Sequence, residues 1–301
     1  MILITGASGT VGRELAKRFG GRTMARLALR DPSWIEDAGV HDRVRFDFLD
    51  PSSFETALQG IDRVFLLRPP RLARALHDFG PFVAAMRRVG IGQVVFLSVR
   101  GTEHNALLPH RRIERLLETS GLVWTHLRPN DFMQNFVTVH QADIRDRGEI
   151  WAPAGRGRTS FVDVRDVADA AMRVLTEPGH GGRAYTLTGD EALDLAEVAA
   201  ILSGVLGRRI IYRNPSILAF LRHVRSAGRP AALGLTMTGI YTIARVGLAA
   251  ATSPDLKRLI ERQPTSFCSF AEDHAAAWRS PSSRSTPVRA GSPPRSTGAA
   301  A

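Results

Sequence analysis

Short apolar runs alternate with longer stretches of three-and-four spacing from the first residue onward. Ile2-Leu3-Ile4 reads as a brief buried strand, and Val11 to Phe19 as a helix with Leu15 and Phe19 on one face. Arg26 to Leu29 and Arg43 to Phe48 give two further strands, and Ser53 to Leu58 a short helix. Arg63 to Leu67 is a fourth strand that stops at Pro69-Pro70, after which Phe79, Phe82, Val83, Met86 and Val89 mark one face of a helix. Gln93 to Ser98 is the fifth strand, His110 to Thr119 a helix with Ile113, Leu116 and Leu117 inward, and Val123 to Leu127 the sixth strand. Such alternation predicts an α/β fold: a Rossmann doubly wound parallel sheet with right-handed crossovers.

The texture changes after Arg128-Pro129. Residues 130–158 are richer in polar side chains and glycine and carry no strong period. Asp163 is placed to cap a helix whose buried stripe is Val164, Val167, Ala168, Ala171 and Leu175. Tyr185 to Thr188 reads as a strand, Leu195 to Leu206 as an amphipathic helix and Arg209 to Tyr212 as another strand. The chain therefore divides into a dinucleotide-binding Rossmann domain (1–129 and 159–178) and a smaller α/β substrate lobe (130–158 and 183–275). Residues 279–301 are mostly Ser, Pro, Arg, Gly and Ala, which cannot bury a core, and the segment is expected to be a disordered tail. Arg245 interrupts the apolar stretch Leu233 to Thr252, which reads as a core or pocket helix and not as a membrane span.

Composition adds limits. In 301 residues, 44% are hydrophobic and 23% charged, enough for a sizeable core. The net charge of +11 suggests a polyanion partner, but four of those charges (Arg279, Arg284, Arg289, Arg295) sit in the acid-free tail, leaving +7 for the body. Lys17 and Lys257 are the only lysines, and no recognition helix stands out, so nucleic acid is not expected as a partner. A single cysteine, Cys268, rules out an intrachain disulfide or a Cys-based metal cluster and fits a reducing, cytoplasmic setting. The N-terminus lacks the basic and long apolar regions of a signal peptide, and no metal site is expected.

Chemistry enters with Gly6-Ala7-Ser8-Gly9-Thr10-Val11-Gly12, which follows a strand and opens a helix. One glycine permits the tight turn, the next lets backbone approach a pyrophosphate, and the last lets the helix pack on the strand. The free N–H groups and positive end of the helix then face the phosphates. Gly6, Ser8, Gly9, Thr10, Val11 and Gly12 are accordingly the cofactor loop, and the absence of a Gly-Lys-Ser/Thr ending argues against nucleoside-triphosphate chemistry. An acidic residue at the end of the second strand reads the ribose of NAD, whereas arginine accommodates the 2′-phosphate of NADP. Arg30 and Asp31 both occur there. Arg30 directly follows the strand and Asp31-Pro32 looks like a turn, so NADP(H) is favoured and NAD(H) left open. Arg13 is a second candidate phosphate contact. Asp47, at the end of the third strand, suits either an adenine contact or a strand-end cap.

These residues resemble a family. The GxxGxxG loop, Arg30-Asp31-Pro32, Phe46-Asp47-Phe48-Leu49-Asp50-Pro51, Leu127-Arg128-Pro129 with Phe132-Met133-Gln134-Asn135, Phe161 to Ala168, Tyr185 to Gly189 and Pro264 to Phe267 look like the NmrA-like atypical short-chain dehydrogenase/reductases. The bacterial relatives of the ergot-alkaloid oxidoreductases look nearest, over residues 1–275. The resemblance implies the fold and nucleotide binding; for activity it implies reductases, quinone oxidoreductases or redox-sensing regulators. The wider superfamily's Tyr-x-x-x-Lys pair is absent, because the residues four places after Tyr185, Tyr212 and Tyr241 are Gly189, Ser216 and Arg245. Ser98 matches the usual strand-five serine. His110 stands where the tyrosine would be and Glu114 where the lysine would be. A His–Glu pair one helical turn apart is suited to proton transfer; the bland alternative is two solvated helix residues among Arg111, Arg112 and Arg115.

Two functions from different classes follow. In the first, NADPH reduces a small organic electrophile (an imine, enone or quinone) without a Tyr–Lys pair, in a pocket built from Ser98, His110, Asn130, Phe132, Gln134 and Asn135. In the second, the chain is an NADP(H) redox sensor that does not turn its cofactor over. The second lobe favours the enzyme; the missing pair and the basic surface favour the sensor.

Overall fold

The computed structural model describes residues 1–20, 25–34 and 42–279. The tail expected to be disordered lies outside these apart from Arg279. In chain order the strands are β1 (Ile2–Ile4), β2 (Ala25–Leu29), β3 (Asp42–Arg45), β4 (Arg63–Leu67), β5 (Gln93–Leu97), β6 (Trp124–Pro129), β7 (Glu149–Trp151), β8 (Arg183–Leu187) and β9 (Ile211–Arg213). All but β7 and β9 form one sheet in the order β3-β2-β1-β4-β5-β6-β8, and every pairing in it is parallel. The helices are α1 (Thr10–Arg18), α2 (Phe54–Leu58), α3 (Ala75–Arg88), α4 (Pro109–Glu118), α5 (Val164–Thr176), α6 (Leu195–Leu206), α7 (Ile217–Ser226), α8 (Ala231–Arg245), α9 (Asp255–Ile260) and α10 (Phe267–Asp273).

The inner strands β1, β2, β4 and β5 are largely apolar on both faces because both faces are covered, whereas the edge strands β3 and β8 are more polar. Ile2, Ile4, Leu27, Phe65, Val95 and Leu127 pack with Val11, Leu15, Val167 and Ala171 of α1 and α5. Leu3, Ala28, Val64, Leu66 and Phe96 point the other way, into Phe79, Phe82, Ile113 and Leu117 of α3 and α4. The third strand is shorter than its pattern predicts. Phe46 still donates its N–H to the Leu29 carbonyl at 2.7 Å, but the chain then turns. Phe46 and Phe48 are buried against Phe54, Phe79 and Phe82, so their alternation reflects an aromatic cluster and not a longer ladder.

Two segments of the range read as substrate lobe belong with the sheet instead. β8 pairs with β6 as the sheet's edge strand. Asp255, the first residue of α9, accepts the Thr186 N–H at 2.9 Å, and Leu256 and Leu259 join the core under α1 and α5. A short strand's own sequence does not specify which sheet edge it joins. The remaining lobe has a separate core, with Met133, Phe136, Val198, Leu202, Phe220 and Phe270 among its residues. α6 starts at a capping box, Asp194 with Glu197, and stops at Gly207 in the left-handed conformation (φ +63°). α8 buries Gly234, Met237, Tyr241 and Ala244 at helical spacing. Among the described residues no helix is long and apolar enough to cross a membrane.

Candidate functional site

The glycine loop joins the carboxyl end of β1 to α1 and is tied by its own backbone. Gly9 N–H donates to the Gly6 carbonyl at 2.9 Å, and the helical ladder begins with Arg13 N–H donating to the Gly9 carbonyl at 2.9 Å. The N–H groups of Thr10, Val11 and Gly12 precede that first rung and so lack intrahelical acceptors. Among the described residues no side chain caps this end, and no acidic residue lies in the first turn, leaving it open to an anion. Gly6 turns at φ +62°. A Cβ on Gly12 would stand 2.8 Å from the Ala7 Cα and closer still to the Gly6 carbonyl oxygen, so this residue is what lets α1 start against the loop. A Cβ on Gly9 would meet only the Gly6 carbonyl oxygen, at 3.2 Å, and otherwise project into open space before the helix. That space is a cradle of the kind a dinucleotide phosphate fills. Arg13 Nε donates to the Ser8 carbonyl at 2.8 Å and so braces the loop.

Arg30 follows β2 and is exposed. Asp31 is drawn into the turn: its Oδ1 accepts from Ser33 N–H at 3.0 Å and from Ser33 Oγ–H at 2.7 Å. Those bonds hold its carboxyl below the usual range. Asp47 accepts the Leu49 N–H at 3.0 Å and faces Arg71 at 3.7 Å, the geometry of a turn carboxylate.

The residues at the ends of β5 and β6 are arranged differently from the expected His110–Glu114 pair. Glu114 is wholly buried, not solvated. It accepts from Arg128 Nε at 2.8 Å and Nη2 at 2.9 Å, from Arg111 Nη1 at 3.0 Å and from Thr102 Oγ at 3.1 Å. Burial alone would raise its pKa; the Arg128 bonds, the neighbouring Ser98 hydroxyl and the charges of His126 and Arg128 outweigh this and hold the carboxyl at about 2. His110 is half-buried and points its Nε2 at Arg68 Nε–H, 3.2 Å away. Burial first and the Arg68 guanidinium second push its pKa down to about 4. It is therefore neutral at neutral pH and not an imidazolium acid. Ser98 is buried beside Glu114, yet its Oγ finds no hydrogen bond of good geometry among the described residues. A buried hydroxyl held only loosely, by the Glu114 carboxylate, at the carboxyl end of a central strand suits a polar ligand group there. Glu114, Glu118 and His126 come close enough to share an ion, but Arg111 and Arg128 already occupy these carboxylates.

The expected pocket residues after β6 separate. Asn130 Nδ2 donates to the Ser160 carbonyl at 3.1 Å, Ser160 Oγ at 2.8 Å and the Ala249 carbonyl at 2.9 Å, so its amide ties three segments together. Gln134 bridges to α5: Nε2 donates to Asp163 at 2.9 Å, and Oε1 accepts the Val164 N–H at 3.0 Å. Asp163, as expected, caps that helix. Phe132 is half-buried against the sheet's core and bridges through its backbone to Val162. Asn135 alone of the four lines a narrow cavity, together with Asp131, His140 and Tyr241. With Asn135 and Thr159, those three give the cavity its polar side chains; Asp131 and His140 have no place in the sequence motifs, and Tyr241 enters there only as a tyrosine without a lysine four residues on.

A family profile described as NAD(P)H-binding matches residues 6–178. The chain is 30% identical over 285 residues to an NAD(P)H azoreductase from Xenophilus azovorans, covering 92% of this chain and 99% of that protein. It superposes with a TM-score of 0.80 and 26% identity on an NADPH-dependent quinone oxidoreductase from Escherichia coli, covering 91% of this chain and 99% of that one. The triphenylmethane reductase of Citrobacter sp., solved with NADP(H), gives the same TM-score of 0.80 at 25% identity, over 91% and 99% of the two chains. Matched along nearly its relatives' whole lengths and by the NAD(P)H-binding profile over residues 6–178, this chain belongs to the NAD(P)H-binding, NmrA-like family of atypical short-chain dehydrogenases/reductases.

Proposed function

We propose that the protein is an NADPH-dependent reductase of a small organic electrophile: a quinone, an enone, or an imine-like C=N or N=N acceptor. The observation that carries this reading is the cradle between Gly6 and Gly12 at the sheet's carboxyl edge, with a second lobe folded beside that edge. The names of the relatives, reductases of azo compounds, quinones and triphenylmethane dyes, support the same class. The N–H groups of Thr10 and Val11 would bind the pyrophosphate, with Ser8 in the same loop, and Arg30 would take the 2′-phosphate. Asp31 is already held by Ser33, which supports NADP over NAD. When bound, NADPH supplies hydride. The chain's part is to orient the acceptor and exclude water at the edge of β5 and β6. Ser98 offers a hydroxyl only loosely held by Glu114 there, and His110 serves as a neutral hydrogen-bonding group braced by Arg68.

The test is NADPH oxidation against a panel of quinones, enones, azo compounds and imines, beside a direct binding measurement for NADPH and NADH. Turnover with at least one acceptor is expected, and tighter binding of NADPH. Tight NADPH binding with no turnover across the panel would replace the enzyme by a redox sensor.

A further inference from the structure

Two residues past the end of β6, the chain places a carboxyl group with no cation beside it. Asp131 Oδ1 accepts an amide hydrogen from Asn135 Nδ2 at 2.6 Å and the Phe132 N–H lies close to the carboxyl, but no ion pair reaches it among the described residues. The contrast with Glu114, which two guanidiniums grip, is direct. Asp131 borders the narrow cavity with Asn135, Phe136, His140, Phe161 and Tyr241. Tyr241 reaches in from α8, and its hydroxyl lies 2.6 Å from His140 Nε2, both side chains being nearly sealed from solvent.

The groups around the carboxyl are neutral on each side. The segment after β6 presents Asn135 and His140, α8 presents Tyr241, and the strand-like segment before α5 presents Thr159 and Phe161. The outer charges Asp143, Arg229 and His223 act on His140, one layer back. Asp131 is half-buried, yet its carboxyl faces into the cavity, where the loss of water pushes it up to about 7 against the Asn135 and Phe132 bonds; burial lowers His140 to about 4 and raises Tyr241 further above its ordinary value. Near neutrality Asp131 is thus the member of the cluster that exchanges a proton, while the Tyr241 hydroxyl keeps its own and His140 stays neutral. The position matters as much as the proton. In open α/β sheets ligands bind in the crevice outside the carboxyl ends of the strands, and Asp131 stands at that end of β6.

We propose that Asp131, as a carboxylic acid, is the proton donor to the acceptor, taking the place of the absent tyrosine. The inference rests on the reductase reading above. In the step, hydride adds to one atom of the acceptor's C=O, C=C–C=O, C=N or N=N group and its π bond breaks. The displaced electron pair settles on the heteroatom and takes the Asp131 proton. The nicotinamide is oxidised and the acceptor reduced by two electrons, and the resulting carboxylate recovers a proton from water. A cationic acceptor needs no such proton, because hydride alone neutralises it. The residue therefore discriminates between two classes of acceptor.

The experiment compares menadione, a neutral quinone, with malachite green, a cationic triarylmethane dye, using the full chain and NADPH. Asp131→Asn should lower the ratio of quinone rate to dye rate by about 10²-fold or more, and Asp131→Glu should restore part of it. In the wild type, quinone reduction should fall as pH rises through about 7, whereas dye reduction should not follow that curve. Independently of activity, the infrared difference spectrum across the same pH range should lose a protonated-carboxyl band that Asp131→Asn lacks. An unaltered rate ratio in a folded, NADPH-binding Asp131→Asn protein, or the same carboxyl band in that variant, overturns the proposal. No turnover of either acceptor by the wild type would instead overturn the reductase reading, and the proposal with it.

Discussion

Adding one methyl group to either of two glycines separates folding from binding in the phosphate loop. In Gly12→Ala the new Cβ would lie 2.8 Å from the Ala7 Cα and nearer still to the Gly6 carbonyl oxygen. Both are backbone atoms with no rotamer to yield, so the cost falls at the upper end of the ~1–3 kcal/mol that overpacking carries. At roughly 2–4 °C per kcal/mol, the melting temperature should drop by about 4–12 °C. In Gly9→Ala the nearest atom is the Gly6 carbonyl oxygen at 3.2 Å, which a small shift relieves. The melting temperature should move by no more than ~2 °C. This methyl group, however, enters the space before the helix. NADPH at a hundredfold over its wild-type Kd should add about 2.7 kcal/mol to wild-type stability, a rise of about 5–11 °C, and Gly9→Ala should forfeit most of it. Thermal unfolding followed by circular dichroism across an NADPH series measures both effects. A wild-type melting temperature in Gly12→Ala, or a wild-type NADPH response in Gly9→Ala, would refute the reasoning.

Other outcomes follow from side chains the fold has committed. Arg30→Ala should weaken NADPH by about 1.5–3 kcal/mol, roughly 10- to 100-fold, and NADH by far less; equal losses in calorimetric titrations would remove Arg30 from 2′-phosphate recognition. Asn130→Ala frees the Ser160 and Ala249 acceptors and should destabilise the chain by ~1–3 kcal/mol. A raised KM at unchanged stability in urea titrations would show that its amide serves substrate instead. His110, His126 and His140 are each pushed down to about 4, with burial the largest cause. The stability they contribute is fully present above the unfolded value near pH 6.5 and is lost as pH falls toward 4. The unfolded chain binds up to three more protons there, a slope of at most about 4 kcal/mol per pH unit. Urea midpoints that stay flat between those limits would contradict it.

What the sequence made legible was local. The glycine spacing, the three-and-four stripes and the capping Asp163 each act within a few residues of themselves, and their geometry follows from that. The meaning of Glu114 was not local. Its neighbours on α4 suggested a solvated face, but Arg128, fourteen residues on, crosses from β6 to neutralise it. Asn130 and Gln134 sat in the motif expected to line a pocket, yet their amides are spent on Ser160, Ala249 and Asp163. Asp131 stands between Asn130 and Phe132 with no motif or spacing of its own to mark it. Its environment depends on Tyr241, a hundred and ten positions later in α8, and no short-range pattern announces that contact. β7 is too short to show a period of its own.

The interleaving of sheet and lobe also sets an order of events during synthesis. β6 ends at Pro129, and the strand that pairs with its free edge ends only at Leu187, 187 − 129 = 58 residues later. At ~5–20 residues per second, that leaves a growing chain about 3–12 s with an open parallel edge. The helix that seals β8, α9, arrives later still, after α6, α7 and α8 have left the ribosome. A nascent chain at this stage presents unpaired backbone donors and acceptors beside apolar strands. The last stretch of translation, more than any step in the finished molecule, is where this architecture calls for a holding chaperone.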